Sequence, residues 1–190
     1  MNFNSHSAIV GKHAFLSPSG YHWINYTEQK LDARWTAARA AARGTDLHEL
    51  AHAAIKLSVK LSTANRNLAA YVRDGIGYKM EVEQPLYYSD NCFGCADTIS
   101  FRRNKLRIHD LKTGLAKTSE HQLEVYAALF CLEYGMSPYD IEMELRIYQN
   151  GDTEEFRPYF PEPDAILRIM DTIMIFDQRI EELKAEGGLT

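Results

Sequence analysis

Cysteine, proline and glycine are all scarce in this chain of 190 residues, which contains 3, 6 and 11 of them. Three cysteines cannot all pair within one chain, so we expect free thiols and a reducing compartment. No stretch approaches the roughly 18 consecutive apolar residues that a membrane-spanning helix needs, so no membrane partner is expected. The first fifteen residues lack a basic segment followed by an apolar one, so no secretion signal is predicted. These absences favour a cytoplasmic protein.

Charge of each sign is concentrated in a different part of the chain, although the formal net charge is only -5. Positions 1–117 contain 16 basic and 10 acidic residues, whereas positions 118–190 contain 5 and 16. A basic part favours contact with a polyanion, although an exposed acidic helix at the other end gives the same distribution. The composition, 45% hydrophobic and 25% charged, is that of a folded protein, and the length predicts a single domain.

Hydrophobic periodicity and turn residues predict the element order α, βββ, α, ββ, α. Helices are predicted at about 17–24, at 32–61 as two helices or one kinked helix, from 68 to the glycines at 75 and 77, at 120–134 and at 163–185. Strands are predicted at 80–88, 93–101, 105–112, 141–148 and, after a turn at 150–152, up to 159. A helix between the third and fourth strands permits a parallel crossover. The predicted fold class is therefore α/β, with a central mixed β-sheet flanked by helices.

Two aspartates and a lysine occur on the second and third predicted strands. Asp110 and Lys112 project from one face because strand side chains alternate with period two, while Leu111 faces the other way. If the two strands pair across the turn at 102–104, Asp97 lies beside Asp110. Paired carboxylates suit Mg²⁺ or Mn²⁺, and a nearby ammonium can orient a water nucleophile or offset charge on a phosphate. The alternative is that both aspartates cap turns and Lys112 forms an exposed ion pair.

Four short motifs surround and include this segment, in a fixed order along the chain. They are Gly44-Thr45-Asp46-Leu47-His48, Gly94-Cys95-Ala96-Asp97, Asp110-Leu111-Lys112 and Gln122-Leu123-Glu124-Val125-Tyr126. In order and spacing they resemble the motifs of the PD-(D/E)XK nuclease superfamily, specifically its RecB-like branch of phage and recombination exonucleases. The resemblance implies a restriction-endonuclease-like core of α-βββ-α-β order at 16–150. A single nuclease domain at 1–190 would add an extension at 1–15 and a strand and acidic helix at 151–190.

The resemblance implies a metal-dependent deoxyribonuclease of phage or bacterial recombination, repair or DNA processing, with an exonuclease favoured. Its implied catalytic residues are Asp97, Asp110, Lys112, Gln122 and Tyr126. Its implied ligands for Mg²⁺ or Mn²⁺ are His48, Asp97, Asp110 and the backbone carbonyl of Leu111, with Glu81, slightly preferred to Glu83, as an additional candidate. From the residues alone, a packed helix face also explains the histidine, the glutamine and the tyrosine, and a solvated edge strand explains the glutamates.

Cysteine placement separates this chain from the iron–sulfur members of that superfamily. Those members use four cysteines, whereas this chain has none before Cys92 or after Cys131, so no Fe-S cluster is expected. The Cys92-x-x-Cys95 pair lacks the second pair that a zinc finger needs. Ordinary thiols are therefore the favoured interpretation.

Basic residues near the motifs predict contact with nucleic acid. The candidates are Arg39, Arg43, Arg102, Arg103 and Lys117, for each of which a solvated surface is the alternative. DNA is the expected partner. No base-reading motif is present, so we expect DNA binding without sequence specificity.

The resemblance also suggests the cytosol of a bacterium or of a phage-infected host, with a second copy or a recombination protein as a further partner. The competing hypothesis is a catalytically silent nuclease fold that binds DNA or a partner and modulates a recombination or defence complex. A small-molecule phosphohydrolase is disfavoured because no glycine-rich phosphate loop is found.

Overall fold

The computed structural model describes residues 14–16, 18–62, 65–114, 119–149 and 158–187. Contacts divide the chain into two compact units, residues 1–43 and 44–190. The first unit contains a 3-10 helix, Pro18–Asn25, and the beginning of the long helix α1, Glu28–Lys56. This one helix covers most of the stretch for which the sequence predicts two helices or one kinked helix. Ser17, where the first predicted helix begins, lies outside the described residues.

The second unit contains the end of α1 and all the remaining elements. These are α2 (Arg66–Gly77), β1 (Glu81–Ser89), β2 (Cys92–Arg102), β3 (Lys105–Lys112), α3 (His121–Tyr134), β4 (Glu142–Gln149) and α4 (Pro163–Gly187). The predicted turn at 150–152 lies outside the described residues, and of the strand expected after it Tyr159 forms a single antiparallel bridge with Leu145. None of the helices in the described part of the chain is both long enough and apolar enough to cross a membrane.

The four strands form one mixed sheet in the order β1-β2-β3-β4. Neighbours are antiparallel from β1 to β3, whereas β3 and β4 are parallel and are joined through the crossover helix α3. Arg103 and Asn104 connect β2 to β3 with φ of 51° and 61°, the left-handed conformation of a tight two-residue hairpin turn. The predicted α/β fold with a mixed sheet is therefore confirmed.

Apolar residues cover both faces of the sheet. Leu106 and Ile108 of β3 pack in a cluster that contains residues of α3 and α4, and Leu111 packs in another around Tyr71 of α2. Even-numbered and odd-numbered side chains of β3 thus lie on opposite faces of the sheet, as strand alternation requires. Gly135 ends α3 with φ of 62°, and its N–H donates to the Cys131 carbonyl, as is usual for a C-terminal glycine cap.

Candidate active site

The candidate site begins where β2 and β3 stop pairing through their backbones. The last pair of the ladder on this side is Thr98 with His109. Beyond it, the N–H of Leu111 donates to Oδ2 of Asp97 at 3.2 Å, so a side chain takes the place of a strand carbonyl. Asp97 and Asp110 therefore stand at the point where the two strands separate.

An irregularity in β1 lies opposite Asp97. Glu83 has φ of 53°. Its neighbours Val82 and Gln84 both pair with residues of β2, whereas Glu83 does not. In β2, Ala96 and Ile99 share one core cluster although they are three residues apart, so the alternation of side chains slips between them. The register of β1 with β2 is the same on both sides of Glu83, so this is a local distortion of the backbone without an inserted residue. Here the slip coincides with Asp97.

The first motif brings α1 to Asp97. Nδ1 of His48 lies 3.5 Å from Oδ2 of Asp97, and the two side chains are 28% and 24% exposed. One turn earlier, a Cβ atom added to the buried Gly44 would lie only 2.7 Å from Oγ1 of Thr113. The glycine therefore allows α1 to approach the chain just after β3, and the histidine reaches the aspartate.

Asp110 is the most buried carboxylate of the site, with 3% exposure. Its Oδ1 accepts a hydrogen bond from Nζ of Lys112 at 2.9 Å. Its Oδ2 is buried and has no hydrogen-bond partner in the described part of the chain. Burial raises the pKa of Asp110, the nearby charge of Asp97 raises it further, and Lys112 opposes both effects. The ionised carboxylate is therefore short of positive charge.

The fourth motif meets the third at Lys112. Nζ of Lys112 donates to Oε1 of Gln122 at 3.1 Å as well as to Asp110, so the ammonium is held between β3 and α3. An ammonium has three N–H donors, and these two acceptors use two of them. The remaining N–H can be donated to a water molecule or a phosphate oxygen.

Tyr126 joins α3 to the backbone of β2. Its hydroxyl donates to the Cys95 carbonyl at 2.7 Å, and its ring lies against Gly94. A Cβ atom on Gly94 would be 2.9 Å from Cε1 of the ring, which explains why the position carries no side chain. The structure thus gives Tyr126 a positioning contact two residues from Asp97, and its predicted catalytic role stays a prediction.

His52 lies beside the candidate site and was not predicted from the sequence. It follows His48 by four residues on one face of α1, and the two rings lie 5.9 Å apart. Its Nε2 lies 3.4 Å from the Tyr71 hydroxyl, and its Nδ1 lies 3.6 Å from Oε1 of Glu83. Burial lowers the pKa of His52, while the carboxylates of Asp97 and Glu83 oppose that shift. The repeated histidine at helical spacing was the available signal.

The two candidate glutamates of β1 occupy different surroundings. Glu83 lies beside α1, where its carboxylate contacts His52 and approaches Nζ of Lys56 at 3.4 Å. Glu81 is exposed and pairs through its backbone position with Ile99. The structure therefore brings Glu83, rather than the preferred Glu81, to His52.

Two of the predicted basic residues lie at a distance from the aspartates. Arg102 and Arg103 lie at the hairpin end of β2, and five residues separate Arg102 from Asp97, a distance of about 17 Å along a strand. Arg39 and Arg43 are exposed residues of the first unit. Lys117 lies outside the described residues.

The donor groups at the strand separation fit a hard divalent cation in type. Mn²⁺ accepts both carboxylate and imidazole ligands, whereas Mg²⁺ prefers the carboxylate oxygens. One such oxygen, Oδ2 of Asp110, has no hydrogen-bond partner in the described part of the chain. Among the described residues, no three His, Cys, Asp or Glu side chains already form a metal cage. Binding would therefore draw these side chains closer together. The three cysteines are free, and one of them, Cys131, is buried in the core.

Comparison with known proteins gives no assignment. A scan against protein-family models finds no match to this sequence, and a search of curated proteins likewise finds none. The functional argument therefore depends on the four motifs and on the contacts they make.

Proposed function

We propose that this chain is a metal-dependent nuclease that hydrolyses phosphodiester bonds in DNA and that its sheet and helices form a restriction-endonuclease-like core. One observation carries the proposal. Asp110 is a buried carboxylate with one oxygen held by Lys112 and the other without a described protein partner, beside Asp97 at the separation of two strands. This arrangement supplies the negative charge that holds a divalent cation and a fixed ammonium for the reaction.

The proposal gives each group a role. Asp97, Asp110, His48 and the Leu111 carbonyl would hold Mg²⁺ or Mn²⁺, which when bound lowers the pKa of a water and offsets charge on the phosphate. Lys112 directs its remaining N–H at the attacking water or at the oxygen on which charge develops. Gln122 positions Lys112 through the 3.1 Å hydrogen bond.

The energetic cost of Asp110 weighs against a catalytically silent fold. A buried acceptor that lacks a hydrogen bond costs about 1–3 kcal/mol, and charge increases that cost. An apolar residue at the same strand position would remove the cost and preserve the sheet. The presence of the carboxylate beside Lys112 therefore supports chemistry rather than binding alone. The preference for an exonuclease, and for a cytosolic role in recombination or repair, comes from the motif resemblance.

Cleavage assays test the proposal directly. The purified full-length chain is incubated with end-labelled linear DNA and with covalently closed circular DNA, in Mg²⁺, Mn²⁺ or EDTA. We expect metal-dependent degradation of linear DNA, its loss in Asp110→Asn, and its retention in the control Asp171→Asn, which changes an exposed aspartate of α4. Degradation of both DNA forms would indicate an endonuclease. Absence of cleavage of any substrate by the wild-type protein would contradict the proposal.

Calorimetry with Mn²⁺ tests the metal site without reference to activity. We expect binding to the wild-type protein and to Asp171→Asn, and its loss in Asp110→Asn because a main ligand becomes neutral. Equal binding to all three proteins would remove Asp110 from the site.

A further inference from the structure

A basic cavity of about 600 Å³ opens near the hairpin end of the sheet, away from the aspartates. Its volume is within the range of small-ligand sites. Five of its eight lining residues are basic and one is acidic. The lining consists of Gly77, Tyr78, Lys79, Arg102, Arg103, Lys105, Arg107 and Glu142.

Two of the basic residues are neutralised by neighbouring groups. Nζ of Lys105 lies 3.5 Å from Glu142 and 3.3 Å from Glu144. Nε of Arg107 lies 3.3 Å from Glu144, and its guanidinium stacks 4.3 Å from the centre of the Tyr78 ring. These contacts make one wall of the cavity rigid and leave its remaining charge to the other three cations.

Lys79, Arg102 and Arg103 are exposed and form no ion pair within the described part of the chain. Lys79 and Arg103 also have left-handed φ values of 52° and 51°, which residues with side chains rarely adopt. Local structure accounts for both values, because the N–H groups of residues 78–80 donate to the last carbonyls of α2 and Arg103 belongs to the hairpin turn. Three unpaired like charges around one concavity are the arrangement that an anion would relieve.

A second cavity of about 310 Å³ extends this surface toward the candidate active site. It shares Lys79 and Arg102 with the first cavity, and Lys56 also lines it. Lys56 pairs with Glu83, which contacts His52. Along β2 the distance from Arg102 to Asp97 is about 17 Å, the axial length of about five base pairs of duplex. The cations of the first cavity therefore lie several phosphate spacings from Asp97.

We propose that the two adjacent cavities bind the phosphodiester backbone of a nucleic-acid strand whose scissile bond lies at Asp97 and Asp110. The identity of the ligand rests on the proposed function. The site holds DNA about five base pairs from the position of cleavage through charge alone, since none of its residues forms a base-reading motif. It also gives Arg102 and Arg103 a specific role in place of general attraction.

The test compares two double variants that remove the same charge from different surfaces. Arg102→Gln with Arg103→Asn removes two of the three unpaired charges of the cavity, and asparagine tolerates the left-handed conformation at position 103. Arg168→Gln with Arg179→Gln is the control on exposed positions of α4. Fluorescence anisotropy in EDTA measures binding of a labelled single strand and a labelled duplex, each of about 20 nucleotides or two helical turns.

We expect the cavity variant to weaken binding about tenfold or more and to reduce the salt slope by about two. The control should change affinity less than about twofold. Equal affinity of the wild type and the cavity variant, or equal losses in both variants, would overturn the proposal. Calorimetry with inorganic phosphate and with ATP separates the sources of phosphate. Tighter, cavity-dependent binding of ATP than of either strand would replace the strand by a free nucleotide and would also overturn it.

A separate measurement isolates the proposed function from this inference. Bis(p-nitrophenyl) phosphate is a small diester that is too short to extend from the aspartates to the cavity. If the wild-type protein with Mn²⁺ does not hydrolyse this diester or DNA but the cavity variant still loses DNA affinity, the nuclease proposal fails and the binding site stands. If the wild type cleaves DNA and the cavity variant binds it normally, the nuclease proposal stands and the binding site fails.

Discussion

Lys112→Ala separates catalysis from binding more sharply than any other single change. The substitution removes the ammonium that contacts Asp110 at 2.9 Å and Gln122 at 3.1 Å. Removal of a group that orients a nucleophile or stabilises charge in the transition state costs about 100-fold or more in rate, or about 2.7 kcal/mol. Lys112 is one charge among many for DNA affinity, so its loss should reduce the salt slope of binding by at most about one.

The same substitution should also lower the stability of the fold. The size of the effect depends on how exposed the ion pair between Lys112 and Asp110 is. The side chains of Lys112 and Asp110 are 32% and 5% exposed, so the pair lies between the surface and buried cases. Loss of the lysine should cost about 1–3 kcal/mol, and each kcal/mol lowers the Tm of a chain of this size by about 2–4 °C. Mn²⁺ should restore part of that loss because it supplies positive charge to the same carboxylate.

The pH dependence of this loss has a defined sign. The pKa of Asp110 is raised in the folded protein, so its protonated form stabilises the fold below pH 3.8 and that stabilisation is lost as the pH rises through the folded-state pKa. Removal of Lys112 raises the pKa further, since the lysine charge lowers it. The difference in Tm between wild type and variant should therefore be largest near neutral pH and should narrow as Asp110 becomes protonated.

The assay measures DNA binding in Ca²⁺, DNA cleavage in Mn²⁺ and thermal unfolding across pH for the wild type, Lys112→Ala and the control Lys60→Ala, which changes an exposed lysine. Cleavage by Lys112→Ala at the wild-type rate would refute the assigned role of the lysine. If the proteins bind alike and the wild type cuts neither DNA nor RNA in Mg²⁺ or Mn²⁺, the hypothesis of a binding protein takes precedence.

Three further predictions concern the surroundings of the same site. Asp110→Asn should raise the metal-free Tm by about 2–4 °C at neutral pH, with the gain disappearing in acid, because it removes a buried charge; an unchanged Tm at neutral pH would contradict this. Gly94→Ala should cost about 1–3 kcal/mol through its clash with Tyr126, and thermal melts should show that adding Tyr126→Ala costs less than the two single changes combined. Cys92→Ser with Cys95→Ser should leave most cleavage activity intact and the protein colourless, and an absorbance band that the double variant loses would overturn the assignment of free thiols.

The regular parts of this fold were predictable because hydrophobic periodicity and turn residues determine local structure. The alternation in β3 places Asp110 and Lys112 on one face, and the structure joins them in an ion pair. The spacing of the hairpin turn places Asp97 across from Asp110, as the pairing of Thr98 with His109 requires. The helix between β3 and β4 allowed the parallel crossover, which the structure confirms.

The irregular parts depend on contacts between elements that are distant in sequence. Alternation allowed either Glu81 or Glu83 to face inward. The left-handed φ at Glu83, opposite the change of side-chain alternation between Ala96 and Ile99, decides between them. Glutamate does not favour that conformation, so no local signal marks the distortion. His52 is similar, because its role follows from the approach of Glu83 and not from its own neighbours on α1.

Convergence of the motifs bears on whether the resemblance is accidental. Each motif is short enough to occur by chance, and chance occurrences would be scattered over the surface of an unrelated fold. Here residues from α1, β2, β3 and α3 form two short series of contacts around one strand separation. One series runs from His48 through Asp97 to the Leu111 backbone, and the other runs from Asp110 through Lys112 to Gln122. The motif glycines also contribute, because Gly44 allows α1 to approach Thr113 and Gly94 allows β2 to approach Tyr126. The motifs are therefore parts of one site, and the metal and cleavage experiments ask only what that site does.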